Sequence, residues 1–262
     1  MPSLYEQPAI YDLLHFGWTA DLEHYLSLAR GLTAALAPRA STAALAPRAS
    51  TAALAPRAST LECAVGSGRV ALALARAGHR VHGIDLDPAM LRAFAERVAQ
   101  EPIEVRERLS WAEGDLRTFT TGRRWPLVIA AFNALAHLHT DADLDAFLSR
   151  ARAELDPEGT LAFDVWRPDE ATLRGRTTDS PRFRDPRTGE PLRSTETTRM
   201  ENGLLHVEIA LHDLDENPPE RLSIELRIRP PEELEAALLR NGFTITSRTS
   251  LGEMEAWITR PR

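Results

Sequence analysis

Residues 61–91 read LECAVGSGRVALALARAGHRVHGIDLDPAML, and this stretch decides the fold. It opens inside a short apolar run, STLECAVG, whose length and composition fit a buried strand. The run breaks at Gly66-Ser67-Gly68. It then passes into RVALALARAG, a helical segment closed by Gly78, a residue suited to the left-handed cap. HRVHGID reads as a second strand. Asp87 stands at the N-cap of a further helix with Pro88 at its first position, where both residue types are favoured. Met90, Leu91, Phe94 and Val98 form the apolar face of that helix.

Downstream the alternation continues. LSWAEGD and PLVIAAFN read as third and fourth strands, residues 142–155 as a helix and GTLAFDVW as a fifth strand. Strands alternating with helices imply a doubly wound, mostly parallel Rossmann-like α/β sheet with helices on both faces. The pattern then changes. Residues 167–191, rich in Pro, Arg, Asp and Gly, read as a long loop. LHVEIALH and RLSIELRIR alternate apolar and polar residues, as antiparallel strands with one solvated face do. They form an antiparallel insertion before the last helix, PPEELEAALLRNG. FTITSRT and MEAWITR close the chain as two strands, for about seven in the main sheet.

Upstream, Leu22, Tyr25, Leu26, Ala29 and Leu32 recur at helical spacing. Nine residues, TAALAPRAS, then occur three times, at 33–41, 42–50 and 51–59. Each copy carries one Leu and one Pro, and Pro inside a helix costs about 3 kcal/mol. A nine-residue shift is also two and a half helical turns, so successive Leu residues would face opposite sides. The repeat therefore reads as a duplicated linker, with a repeated binding or oligomerisation segment as the alternative. The expected organisation is an N-terminal helical lid (1–32), the repeat (33–59), a core (60–166), the loop and insertion (167–229) and a closing helix with two strands (230–262).

Composition narrows the function classes. The 262 residues carry a formal net charge of −7, and all 31 basic residues are Arg. That balance argues against a nucleic-acid partner, which selects a basic face. One cysteine, Cys63, allows no internal disulfide, and it is expected in the core. No stretch approaches the roughly 18 apolar residues of a membrane span. Residues 1–14 lack a basic, then apolar, leader pattern, so a cytoplasmic location is expected.

The stretch 61–91 resembles the cofactor-binding core of class I S-adenosylmethionine-dependent methyltransferases, with an overall layout similar to small-molecule branches acting on amino sugars. The resemblance implies S-adenosylmethionine as cofactor and a small-molecule methyl acceptor, with no metal. Residue by residue it implies that Glu62 ends the first strand. The loop of pattern G-x-G-x-G appears as Ala64, Gly66 and Gly68, with Ala64 in place of the first glycine. Asp85, followed by Leu86, stands where the family binds ribose hydroxyls. Asp115 and Leu116 stand where it holds adenine, and Phe132 and Asn133 beside the methyl donor.

His137 is the candidate base on the acceptor side. Tyr11 lies where the family folds an N-terminal helix over the cofactor, and Trp18 and Tyr5 compete for that role. The antiparallel strands and residues 167–191 are expected to build the acceptor pocket. A nicotinamide-dependent oxidoreductase and a non-catalytic cofactor-binding protein are the alternatives, and a homodimer is an open option.

Overall fold

The structure, a computed structural model, describes residues 1–15, 18–36, 59–213 and 217–262. Residues 37–58 of the repeat lie outside the described residues, so its reading as a linker stays an expectation. A 3₁₀ turn (Leu4–Glu6) and helices α1 (Pro8–His15) and α2 (Ala20–Leu36) lead to β1 (Ser59–Cys63). The alternating region follows as α3 (Arg69–Arg76), β2 (Arg80–Asp85), α4 (Pro88–Ala99), α5 (Ile103–Arg106), β3 (Leu109–Glu113) and β4 (Trp125–Ala130). A second 3₁₀ turn (Ala134–His137), α6 (Asp141–Glu154) and β5 (Leu155–Trp166) complete it. Asp87 caps α4 as expected, accepting from the Ala89 N–H at 2.7 Å and the Met90 N–H at 3.3 Å.

The insertion comprises α7 (Glu170–Arg174), β6 (Thr177–Asp179), β7 (Phe183–Arg184), β8 (Pro191–Glu201), β9 (Leu204–His212) and β10 (Glu220–Leu226). Helix α8 (Pro231–Arg240) and the hairpin β11 (Phe243–Leu251) and β12 (Met254–Pro261) return the chain to the main sheet. Among the described residues that sheet has seven strands, in the order β11-β12-β5-β4-β1-β2-β3. β1 to β5 run parallel, and β12 pairs antiparallel with β5 from Met254↔Trp166 to Thr259↔Leu161.

The sheet is covered on both faces because its central strands are apolar on both. On β4, Val128 and Ala130 face a layer built from α6 and α8 through Leu144, Phe147, Leu148, Leu234 and Leu238. Leu127 and Ile129 face the layer of α2, α3 and α4 through Tyr25, Ala29, Val70, Leu74, Phe94 and Val98. Successive side chains of a strand point to opposite faces, so one four-residue run serves two cores.

The insertion departs from expectation. Residues 167–191 are not a bare loop, because α7, β6 and β7 lie within them, and β8 is a strand the sequence did not signal. Its inward residues include Ser194 and Thr198, both buried. They are satisfied by the Ser180 hydroxyl at 2.8 Å and the Thr172 carbonyl at 2.9 Å. A strand whose buried face is partly hydroxylic shows no apolar alternation to read. The insertion sheet packs Leu205, Val207, Ile209, Leu211 and Leu222 against Leu4 and Ile10. It therefore supports the N-terminal segment from behind.

Candidate active site

β1 leads through α3 to β2 on one side, and β4 leads through α6 to β5 on the other, so the sheet has a switch point between β1 and β4. Ligands of doubly wound sheets bind beyond the strand C-termini at such a point. A cleft of about 970 Å³ opens there, lined by Glu62, Ala64, Gly66, Asp85, Leu86, Asp115, Leu116, Phe132, His137 and Tyr11 among others.

The loop after β1 carries the tightest geometry. Ala64, Gly66 and Gly68 have φ of +57°, +56° and +89°. Ala64 thus holds a left-handed conformation that favours glycine, a strain of about 1–2 kcal/mol. A Cβ at Gly66 would meet nothing within 4 Å, whereas one at Gly68 would lie 2.1 Å from the Phe94 ring. One glycine fronts open space and the other lets α3 close on α4.

Two acids shape this loop. Glu62 is buried beside the first turn of α3. Its Oε2 is buried without a hydrogen-bond partner. Burial pushes its pKa up to about 8, and the Arg69 charge only partly opposes this. Asp85 accepts from the Gly66 N–H at 2.7 Å and the Asp87 N–H at 2.9 Å. Burial raises its pKa as well, the two backbone bonds opposing. Asp85 therefore holds the loop while lining the cleft, with lone pairs left for a further donor. Leu86 beside it is 59% exposed, an uncovered apolar face in the cleft.

The proton held by Glu62 has a measurable consequence. A carboxyl whose folded pKa lies above its unfolded value stabilises the fold at low pH, and that contribution is lost as pH rises. The window here runs from about 4.5 to about 8. The protein should lose stability across it from this group, at up to about 1.4 kcal/mol per pH unit. Glu62→Gln should flatten that part of the profile, as read by urea unfolding at pH 5, 7 and 9; an unchanged slope would remove Glu62 as its source.

The comparisons with known proteins agree with this geometry. A methyltransferase domain family matches residues 60–159, the span of the glycine loop, both acids and His137. Residues 60–159 thus carry a methyltransferase domain. It is 31% identical over 157 residues to the dTDP-3-amino-3,6-dideoxy-alpha-D-glucopyranose N,N-dimethyltransferase of Streptomyces fradiae, covering 60% of this chain and 52% of that protein. The matched segment thus spans about half the length of that relative. The CcbJ methyltransferase from Streptomyces caelestis has the same fold, with a TM-score of 0.74 at 19% identity over 95% of this chain and 94% of that one. So does SAM-bound CalS10, an amino pentose methyltransferase from Micromonospora echinaspora, with a TM-score of 0.71 at 19% identity over 97% of both chains.

The main sheet also departs from the nicotinamide alternative. Dinucleotide folds classically order their strands 3-2-1-4-5-6, whereas here antiparallel β12 is inserted between β5 and β11.

The N-terminal segment roofs the cleft through contacts that the sequence did not announce. Asp12 of α1 accepts from the Ser67 hydroxyl at 2.6 Å and pairs with Arg97 of α4. Arg69 forms a two-point pair with buried Asp21 of α2 at 2.7 and 2.6 Å. The Tyr5 hydroxyl and His137 Nε2 share a hydrogen bond of 2.8 Å. Tyr11 lies 5.4 Å from the Tyr5 ring and 6.4 Å from the Phe132 ring, centroid to centroid. His137 opens to the cleft yet is surrounded by protein, and desolvation lowers its pKa to about 4. Burial keeps the Tyr5 and Tyr11 hydroxyls protonated.

Other expected site residues sit differently. Asn133 is not among the residues lining the cleft; its Oδ1 accepts from the Trp166 N–H at 3.0 Å. It shapes the turn that carries Phe132. Asp115 lines the cleft, but its carboxylate is gripped by Arg117 through contacts of 2.6–3.1 Å. Among the described residues, none of 167–229 lines the cleft, contrary to the expected acceptor pocket. The apolar face of the insertion is spent on the N-terminal segment. Its C-terminal end instead reaches the segment around His137: buried Arg229 donates to the carbonyls of Leu138 at 2.6 Å and Thr140 at 2.9 Å.

Proposed function

We propose that the protein transfers a methyl group from S-adenosylmethionine to an amino nitrogen of a small, sugar-like acceptor. The observation that carries the choice of nitrogen is His137, which opens to the cleft with its Nε2 tied to the Tyr5 hydroxyl and is left weakly basic by the protein around it. A hydroxyl acceptor needs a base near neutral pH, and an imidazole with a pKa of about 4 is a poor one. A neutral amine brings its own lone pair and needs only to be held in line. The amino-sugar names of the relatives support the same class.

When bound, S-adenosylmethionine supplies a methyl group that is already electrophilic. The residues present fit it. Glu62 offers an unpaired buried oxygen to an ammonium, whose charge favours loss of the Glu62 proton, and the N-terminus of α3 favours a carboxylate. Asp85 has capacity for ribose hydroxyls. Leu86 and Leu116 offer apolar faces to the adenine ring, with Asp115 beside them once it shares or yields Arg117. The aromatic roof of Tyr5 and Tyr11, facing Phe132 in the floor, excludes water, and His137 orients the acceptor as a neutral hydrogen-bonding group.

Titration calorimetry tests the cofactor assignment: S-adenosylhomocysteine should bind and NAD should not, and the reverse result would overturn it. His137→Ala should lower turnover by about 10–100-fold with S-adenosylhomocysteine affinity nearly unchanged. Parent-like turnover on an amino-sugar acceptor would remove His137 from the acceptor side.

A further inference from the structure

Asp164, in the run GTLAFDVW, is a lone acid in an apolar strand. It lies on β5, is fully buried and is not among the residues lining the cleft. Its carboxylate takes three donors. The Tyr25 hydroxyl of α2 donates to Oδ2 at 2.7 Å, the Phe132 N–H to Oδ2 at 3.0 Å and the Asn133 N–H to Oδ1 at 2.7 Å. Phe132 and Asn133 are consecutive non-glycine residues with φ of +54° and +62°. Each pays the left-handed penalty, and such strain persists only where surrounding structure over-determines it. The turn opens directly into the 3₁₀ segment that ends at His137. Phe132 contacts the roof on several sides, with ring centroids 5.2 Å from His15 and 6.4 Å from Tyr11 and the Arg69 guanidinium 5.0 Å from its ring.

We propose that Asp164 is a positioning residue that fixes the strained Phe132–Asn133 turn in the floor of the cleft and ties it to helix α2 of the roof. Significance for methyl transfer rests on the function proposed above; the coupling itself does not. Asp164 holds both backbone donors of the turn, and Tyr25 makes the roof a third donor to the same carboxylate. Loss of the negative charge therefore loosens floor and roof together. The groups facing it are Tyr25 and Asp21 from α2, Tyr11 from α1, and Arg69 from α3 through its pair with Asp21. Burial raises the Asp164 pKa to about 6, with the three hydrogen bonds opposing. Protonation below that pH converts an acceptor of three donors into a group that is itself a donor on one oxygen.

Amide hydrogen exchange tests this without any acceptor. In Asp164→Asn, where the side-chain NH₂ confronts an N–H or the Tyr25 hydroxyl, protection at Phe132 and Asn133 should fall at least about tenfold at pH 7.5, with β1 and β4 amides unchanged. S-adenosylhomocysteine affinity should fall at least about threefold. Parent protection at these two amides should also fall as pH drops through about 6, and this step should vanish in Asp164→Asn. Tyr25→Phe, which leaves the carboxylate in place, should give a smaller loss at the same amides, and it serves if Asp164→Asn does not fold. Parent-like protection at 132–133 in either variant, or a loss spread evenly over β1, β4 and β5, would overturn the proposal. Failure of the parent to bind S-adenosylhomocysteine would instead overturn the function reading and leave the exchange result standing.

Discussion

Replacing Arg69 by Ala should lower the stability of the protein by about 3–5 kcal/mol and weaken S-adenosylhomocysteine binding with it. Asp21 is fully buried, and Arg69 is its only ion-pair partner described. Removing the guanidinium leaves a buried carboxylate unpaired, which is far costlier than never having built the pair. The damage is directional as well. Asp21 lies in the first turn of α2, and Arg69 begins α3 at the cofactor loop, so the pair fastens the roof to the loop. Arg69 also covers the Phe132 ring. Urea unfolding and calorimetry on Arg69→Ala should show both losses. Adding Asp21→Ala should recover most of the stability, since it removes the orphaned charge, but not the binding. A loss below about 1 kcal/mol in the single variant would show that water reaches Asp21.

Gly68→Ala should be nearly as damaging by a different route. The new Cβ would stand 2.1 and 2.3 Å from two carbons of the Phe94 ring, and Phe94 is fully buried. The left-handed backbone adds about 1–2 kcal/mol and the overpacking about 1–3 kcal/mol, so a total of about 2–5 kcal/mol is expected. Phe94→Leu in the same chain should return part of it. Gly66→Ala makes the informative contrast. Its Cβ meets nothing in the protein, so stability should fall by only about 1–2 kcal/mol, while the methyl group intrudes on the cleft and S-adenosylhomocysteine affinity falls. Equal stability losses in the two variants would contradict this division between a packing glycine and a ligand-facing one.

Much of the site was legible because its signals are local. Gly66 and Gly68 punctuate a strand and a helix. Asp85 ends the short run HRVHGID, and Asp87-Pro88 announces the next helix within two residues. Asn133 was legible as a motif but not in its role, since only the neighbouring β5 shows that its side chain serves the Trp166 amide. Ser194 and Thr198 hid β8 because their burial is satisfied by partners that no window of sequence contains.

The sequence by itself determined the doubly wound sheet, the glycine-broken turn after β1 and the helix cap at Asp87. Periodicity, glycine and capping residues act over a few positions, and the physics that reads them is backbone sterics and local burial. Only the tertiary structure decided what holds roof to floor. The Arg69–Asp21 pair joins residues 48 apart, Ser67–Asp12 joins residues 55 apart, Tyr5–His137 joins residues 132 apart and Tyr25–Asp164 joins residues 139 apart. An Asp, Arg or Tyr in isolation is equally at home in solvent. What gives each its role here is desolvation against one particular partner, and burial of that kind exists only once the layers have closed.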